Sequence, residues 1–128
     1  MRSYALPLAA AVLIVALAGA SLAAAITVKV NAKTVRNDIA PFTRHDTRFV
    51  QIEPVCKAVG AEYEWDKDAK RVTICKGDTC TSLSIGDGPK DAYVKNNHPC
   101  AAFKVLAGKL GGSASFDESA QVISFTVQ

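Results

Sequence analysis

The segment Val59-Gly60-Ala61-Glu62-Tyr63-Glu64-Trp65-Asp66 combines the end of a helix, a short strand and the start of a turn. Gly60 is the residue type that lets a chain leave a helix in a left-handed conformation. The apolar and polar residues that alternate over residues 61–65 predict a half-buried strand. Asp66 predicts a tight turn, because its carboxylate can accept hydrogen bonds from the backbone amides that follow it. The segment therefore predicts a helix followed directly by a hairpin.

The residues on both sides complete this helix-hairpin unit. Pro54 suits the first turn of a helix, and apolar residues recur at helical spacing between it and Gly60. Residues 71–75 predict the strand that pairs back across the turn. Residues 26–31 alternate as a further strand does, whereas the polar residues 38–47 predict a loop.

The same unit recurs 51 residues further along the chain. Residues 101–110 predict a second helix, which Gly111 ends, and a second hairpin follows. The positions that keep this register are Gly60 with Gly111, Val59 with Leu110, Trp65 with Phe116, Asp66 with Asp117, Val72 with Ile123, and Ile74 with Phe125. We therefore predict an α+β fold in which antiparallel strands and hairpins wrap around two short helices. It would be a duplicated unit of about 51 residues, covering about 26–76 and 77–128.

The N-terminal residues 1–25 have the three parts of a cleavable signal peptide. Arg2 supplies a positive start, residues 8–17 an apolar centre, and Ala23-Ala24-Ala25 the small residues that a signal peptidase requires. Cleavage after residue 20 or 23 also fits. The alternative is an uncleaved membrane anchor, because the run without charge is long enough to span a bilayer. We expect residues 26–128 to form one domain that is secreted, periplasmic or on the cell surface.

Four cysteines lie in this expected domain, at Cys56, Cys75, Cys80 and Cys100. An even number in an exported chain of this size favours two disulfides, with three possible connectivities. Gly77-Asp78 predicts a two-residue hairpin turn with residues 79–85 as the returning strand, so Cys75 and Cys80 face each other close enough to bond. This favours Cys75–Cys80 and leaves Cys56–Cys100 by elimination. A metal site that includes a histidine is the alternative, but Cys-x-x-Cys spacing is missing and we expect no metal or cofactor.

The charge of the chain restricts its partners. The formal net charge is +3, and 14 basic against 12 acidic residues remain without Arg2. These charges are scattered, which gives no support to nucleic-acid binding. We expect a protein or a cell-wall polymer as partner, and a membrane only if the N-terminal segment stays attached.

No residue pattern predicts catalysis. His45 lies in a predicted polar loop, and His98 stands beside Cys100, which we expect to be oxidised. The alternating carboxylates Glu62 and Glu64 lie on one open strand and do not converge across a cleft, so we interpret them as a solvent face. Trp65 could stack on a sugar, but its alignment with Phe116 favours a core position.

Several short motifs resemble those of the copper amine oxidase N-terminal-like, or stalk, domain family. Repeats of that family begin with a strand and Val-Asn-Gly-Lys, then have a Val-Pro-Leu-Arg helix entry, Leu-Gly-Ala and Trp-Asp. The matching segments here are Val30-Asn31-Ala32-Lys33, Val50-Gln51-Ile52-Glu53, Val59-Gly60-Ala61, Trp65-Asp66, Arg71-Val72-Thr73-Ile74 and Ile85-Gly86, with Ala101-Ala102-Phe103-Lys104, Leu110-Gly111-Gly112 and Phe116-Asp117 as a weaker second copy. Ala32, Gln51 and Glu53 depart from the family pattern, and the cysteines are additions to it.

This resemblance implies a non-catalytic extracytoplasmic module, often on bacterial surfaces. The family takes its name from the enzyme that the domain precedes, and the copper and catalytic residues of that enzyme lie in other domains. Amine oxidation is therefore not expected. Two alternatives stay open: an inhibitor of a hydrolase that uses loop 38–47 or 87–99, and a small enzyme with an accessible thiol or metal at Cys56, Cys100 or His98. The exposed edge of a sheet is the expected contact surface, because edge strands present unpaired backbone groups.

Overall fold

The computed structural model describes residues 25–128, so the predicted signal peptide lies almost wholly outside the described residues. In chain order, the elements are β1 (Thr27–Val30), β2 (Lys33–Val35), β3 (Phe42–Arg44), β4 (Thr47–Gln51), α1 (Ile52–Ala58), β5 (Glu62–Asp66), β6 (Arg71–Lys76), β7 (Thr79–Ser84), β8 (Tyr93–Lys95), β9 (His98–Ala102), α2 (Phe103–Lys109), β10 (Ser113–Asp117) and β11 (Val122–Thr126). Neither helix of this part has the length and apolarity needed to cross a bilayer. The predicted α+β class with two short helices is confirmed.

The strands form three sheets. Their orders are β10-β11-β1-β2, β3-β4-β9-β8, which we call the central sheet, and β5-β6-β7. All named pairs are antiparallel except β1 with β11, which run parallel with Val28 opposite Ile123. The sheets are thus mostly antiparallel, as predicted, and this pair is the exception. A parallel partner needs a long crossover connection, and here the whole domain between the two strands supplies it.

The helices end where the glycines predict. Gly60 and Gly111 have φ angles of +75° and +74°. The backbone amides of the next residues, Ala61 and Gly112, donate to the carbonyls of Cys56 and Ala107 in the last turn of each helix. The second helix is shorter than predicted, because residues 101 and 102 belong to β9.

The turns after the first hairpin strands also form as predicted. The carboxylate of Asp66 accepts a hydrogen bond of 3.0 Å from the amide of Ala69, and Asp117 accepts one of 3.2 Å from Ala120. Trp65 and Phe116 are half-buried and pack against the main core. The Trp65 position is therefore a packing position, with Lys67 Nζ 4.7 Å from its ring centre.

The largest difference from the sequence prediction is the central sheet. Residues 38–47 were expected to be a loop, but they contain β3 and the start of β4. Val50 and Ala101 pair at the centre of this sheet and face the main apolar core, whereas Phe49 and Cys100 face a smaller cluster on the other side. Neighbouring residues of a strand point to opposite faces, so the central sheet separates two apolar clusters. We call the side with Phe49 the outer face.

Candidate functional site

The outer face of the central sheet carries the one buried polar side chain of the described residues, Gln51, which is 2 % exposed. Gln51 ends β4 and lies opposite Cys100 on β9. Its Oε1 accepts hydrogen bonds from the backbone amides of Asp38 and Ile39, at 2.8 and 3.1 Å. Its Nε2 lies 3.1 Å from Nδ1 of His98. Gln51 therefore fixes the segment before β3 against the end of the sheet.

The tautomer of His98 follows from this arrangement. Because Oε1 of Gln51 already accepts two amide hydrogens, its Nε2 is oriented to donate to Nδ1 of His98. Nδ1 is then an acceptor, and the ring proton sits on Nε2. His98 serves here to complete a buried network, which is a structural role.

Two cations stack on two aromatic rings at the same face. The guanidinium carbon of Arg44 lies 3.9 Å from the ring centre of Tyr93, and Nζ of Lys95 lies 4.2 Å from the ring centre of Phe42. The two rings are 6.0 Å apart. The sequence offset of 51 relates Phe42 to Tyr93 and Arg44 to Lys95. The contacts are therefore reciprocal: the cation of β3 covers the ring of β8, and the cation of β8 covers the ring of β3. These contacts cover the smaller apolar cluster with side chains that keep their charges near solvent.

His45 is also engaged in the structure. Its Nε2 donates a hydrogen bond of 2.7 Å to the backbone carbonyl of Asp87, and it occupies a turn with φ +52°. Arg44 Nη2 reaches the same carbonyl at 3.5 Å. The pair fastens the β3–β4 turn to the loop before β8.

The four cysteines divide into one disulfide and two thiols. Cys75 and Cys80 are joined across the β6–β7 hairpin, with a Cα–Cα distance of 4.0 Å, as predicted. The prediction of a Cys56–Cys100 bond is wrong, because both residues are free thiols in the structure. Elimination assumed that every cysteine is oxidised, but Cys56 lies in the main core and Cys100 in the smaller cluster.

Burial controls the chemistry of these two thiols. Cys56 and Cys100 are both 0 % exposed. Burial raises the pKa of Cys56 to about 12, with a further contribution from the charge of Glu53, and burial also raises the pKa of Cys100 to about 12. Both are therefore protonated near neutral pH, and a protonated, buried thiol is a poor nucleophile and metal ligand.

Several grooves open on the surface of the described residues, and two of them have volumes above 500 Å³. One, of about 550 Å³, lies between α1 and β5, and its lining includes Glu53, Lys57, Glu62, Tyr63 and Glu64. The other, of about 530 Å³, lies between β7 and the end of α2. The carboxylates of β5 are exposed as predicted. Within residues 25–128, no three His, Cys, Asp or Glu side chains are grouped as metal ligands would be.

The sequence predicted neither the role of Gln51 nor the two stacked cation pairs. Gln51 stood out in the sequence only as a departure from the family pattern, and no local motif indicated its role, since its partners lie 12, 13 and 47 residues away in the chain. The stacked pairs do have a signal in the sequence, because the offset that aligns Gly60 with Gly111 also aligns the cations Arg44 and Lys95.

The comparisons with known proteins support the family resemblance. The family model for the copper amine oxidase N-terminal domain matches residues 29–125. Searches of curated proteins and of solved structures gave no significant match. The matched range contains all the residues discussed above as site candidates.

Proposed function

This chain belongs to the copper amine oxidase N-terminal domain family, and we propose that it is a non-catalytic extracytoplasmic module that contacts a protein or a cell-wall polymer. The observation that carries the proposal is the extent of the family match, which spans residues 29–125 of the described 25–128. The matched family is a domain named by its position before an enzyme, and the motifs of this chain that match it are folding motifs.

The state of the reactive side chains supports a non-catalytic role. The two thiols are buried and protonated, and both histidines are held by hydrogen bonds that serve the fold. This arrangement argues against the thiol enzyme that the sequence left open. The inhibitor alternative has no specific observation in its favour.

The disulfide supports a location outside the cytoplasm. Cys75–Cys80 lies on a hairpin where Cys80 is exposed, and exposed disulfides persist in oxidising compartments. Together with the signal pattern of residues 1–25, it favours export. We further propose that a free sheet edge is the contact surface of the module.

Export is tested by expressing the full-length sequence in a bacterium and separating the cell compartments. We expect the protein outside the cytoplasm, beginning at Ile26, with one disulfide and two thiols by mass spectrometry after alkylation. A protein that stays in the cytoplasm with four thiols would contradict the proposed location.

Binding is tested with purified cell-wall sacculi and with a panel of envelope proteins. Absence of binding to both, with the protein folded, would contradict the binding function.

We also propose that the domain is a duplicated helix-hairpin unit. The bounds of α1 and α2, of β4 and β9, and of β5 and β10 are each offset by 51 residues. Val50 pairs with Ala101, its counterpart at that offset, so the two halves meet around the centre of the β4–β9 pair. The halves differ in the strand that pairs with the second strand of each hairpin. In one half β1 runs parallel to β11, whereas in the other β7 runs antiparallel to β6.

A further inference from the structure

We propose that β7 pairs with β7 of a second copy of this chain, so that the module is a homodimer joined by a continuous sheet. This inference rests on the proposed function, in which a sheet edge is the contact surface, and it names the edge and the partner.

The three sheets have six edge strands, and β7 is the least protected of them. Proteins protect edges with short strands, charged side chains, prolines or bulges. Three edges are only three residues long, namely β2, β3 and β8. The edge strand β5 carries three carboxylates and β10 ends in Asp117. In contrast, β7 has six residues, Thr-Cys-Thr-Ser-Leu-Ser, with neither charge nor proline.

The backbone of β7 points unpaired groups outward. At the end of the strand, the carbonyl of Ser84 accepts a hydrogen bond of 2.8 Å from the amide of Ala92, on the side away from β6. Backbone groups of alternate residues point to the same side of an antiparallel strand, so those of Ser82 and Cys80 also point away from β6. This agrees with the Gly77-Asp78 turn, which makes Lys76 and Thr79 the closing pair of the hairpin. In the described part of the chain, no other strand covers this stretch of β7.

A second copy of β7 satisfies these groups without introducing a charge conflict. An antiparallel pair centred on Thr81 places Ser82 opposite Cys80 of the partner subunit, and the reverse. Each of these residues then donates one amide hydrogen and accepts one. Thr81 lies opposite Thr81 of the partner subunit, and threonine pairs are favourable neighbours across strands. Because the contact is two-fold and uses the same surface twice, it closes at two copies.

The Cys75–Cys80 disulfide prepares this edge for pairing. It ties β7 covalently to β6 at Cys80, one of the two residues whose outward-pointing backbone groups are unpaired. A strand that is already fixed loses less conformational entropy when a partner pairs with it. The disulfide thereby also restrains the docking edge, in addition to stabilising the fold.

Sedimentation equilibrium over micromolar to millimolar concentrations tests the proposal on the protein purified from its full-length sequence. We compare the wild type with Ser82→Pro, which removes an outward amide hydrogen, and with Ser82→Ala, which keeps it. We expect a wild-type dimer, a dissociation constant for Ser82→Pro raised roughly tenfold or more, and one for Ser82→Ala within about twofold of wild type. Since the Ser82 amide does not bond to β6, the thermal midpoint of Ser82→Pro should match that of Ser82→Ala, which shows that folding is retained.

Two results would overturn the dimer. One is a wild type that stays monomeric at millimolar concentration, and the other is a Ser82→Pro protein that dimerises as the wild type does. If the monomer nevertheless binds an envelope protein or the cell wall, only the dimer is refuted and the proposed function stands. If Ser82→Pro abolishes that binding in a monomeric protein, β7 docks another protein in place of a second copy.

Discussion

Gln51 donates from its side-chain amide nitrogen to Nδ1 of His98 across 3.1 Å, and this bond joins the two middle strands of the central sheet on their outer face. The same side chain accepts the backbone amides of Asp38 and Ile39. One buried residue thus connects β4, β9 and the segment that precedes β3.

Replacement of Gln51 by leucine should destabilise the domain by about 2 kcal/mol, because the backbone amides of Asp38 and Ile39 lose their acceptor and that of Ile39 is buried. Urea denaturation measures the change in the free energy of unfolding. His98→Leu is the matched comparison: it removes one bond of the same network but leaves both backbone amides satisfied, so we expect a smaller loss. Equal losses for the two variants would contradict the role assigned to Oε1.

The helix-ending glycines provide a second prediction. Gly60→Ala and Gly111→Ala should each destabilise by about 1 kcal/mol, since alanine is strained at φ angles of +75° and +74°. A methyl group at either position would contact nothing within 4 Å, so the cost comes from the backbone alone.

Gly108 is the matched control for that prediction. It lies within α2, its added methyl group would also contact nothing within 4 Å, and its φ is not positive. Gly108→Ala should therefore stabilise the domain by up to about 1 kcal/mol. Thermal or urea unfolding of the three variants gives the sign of each effect. A stabilising Gly60→Ala or Gly111→Ala would refute the strain argument, and equal costs at the two sites would support the duplication.

The elements that the sequence predicted are those set by neighbours within about ten residues. Gly60 ends a helix, Asp66 forms a turn with Ala69, and Gly77-Asp78 brings Cys75 opposite Cys80. Each of these depends on local backbone preferences, which a sequence pattern displays directly.

The elements that the sequence did not predict depend on distant partners. β3 and β8 have three residues each, too few for a clear alternation. β4 and β9 become a sheet because Val50 pairs with Ala101, and β1 finds β11 at the far end of the domain. The state of Cys56 and Cys100 likewise depends on which apolar cluster each one enters, and a count of cysteines carries no such information.

The buried thiols predict a loss of stability at high pH. The pKa of Cys56 and that of Cys100 are raised from 9.0 to about 12 by burial. Below about pH 9 the thiols are protonated in both states, and their contribution to stability is complete. Between about pH 9 and 12 the unfolded thiols ionise while the folded ones keep their protons, so the free energy of unfolding falls.

The test is the difference in that free energy between about pH 8 and 11, for the wild type and for the Cys56→Ala/Cys100→Ala variant. We expect a shallower decrease for the variant, even though its stability at about pH 8 is lower. Tyr63, whose pKa burial also raises, contributes in the same direction in both proteins. Parallel decreases would mean that the thiols do not drive the effect. In the wild type, we also expect a thiol reagent to modify two cysteines only after unfolding.

The stacked cations should stabilise the outer face of the central sheet. Arg44→Met keeps most of the aliphatic contact but removes the charge above Tyr93 and the long contact of Nη2 with the Asp87 carbonyl, and should cost about 0.5–1 kcal/mol. Lys95→Met makes the reciprocal change above Phe42. Lys109, an exposed lysine in the last turn of α2, supplies the control variant Lys109→Met. If the three variants have equal stabilities in urea denaturation, the stacking contacts contribute nothing.

The Cys75–Cys80 disulfide should contribute about 2 kcal/mol, the value expected from chain entropy for so short a loop. The double variant Cys75→Ser/Cys80→Ser should therefore remain folded but unfold at a lower urea concentration. Wild type treated with a reductant is the matched control and should lose the same stability, since reduction removes the bond without changing the sequence. If the bond also holds β7 for pairing, both samples should dimerise more weakly than the oxidised protein. Dimerisation that is unchanged while stability falls would separate the two roles and leave the disulfide with stability alone.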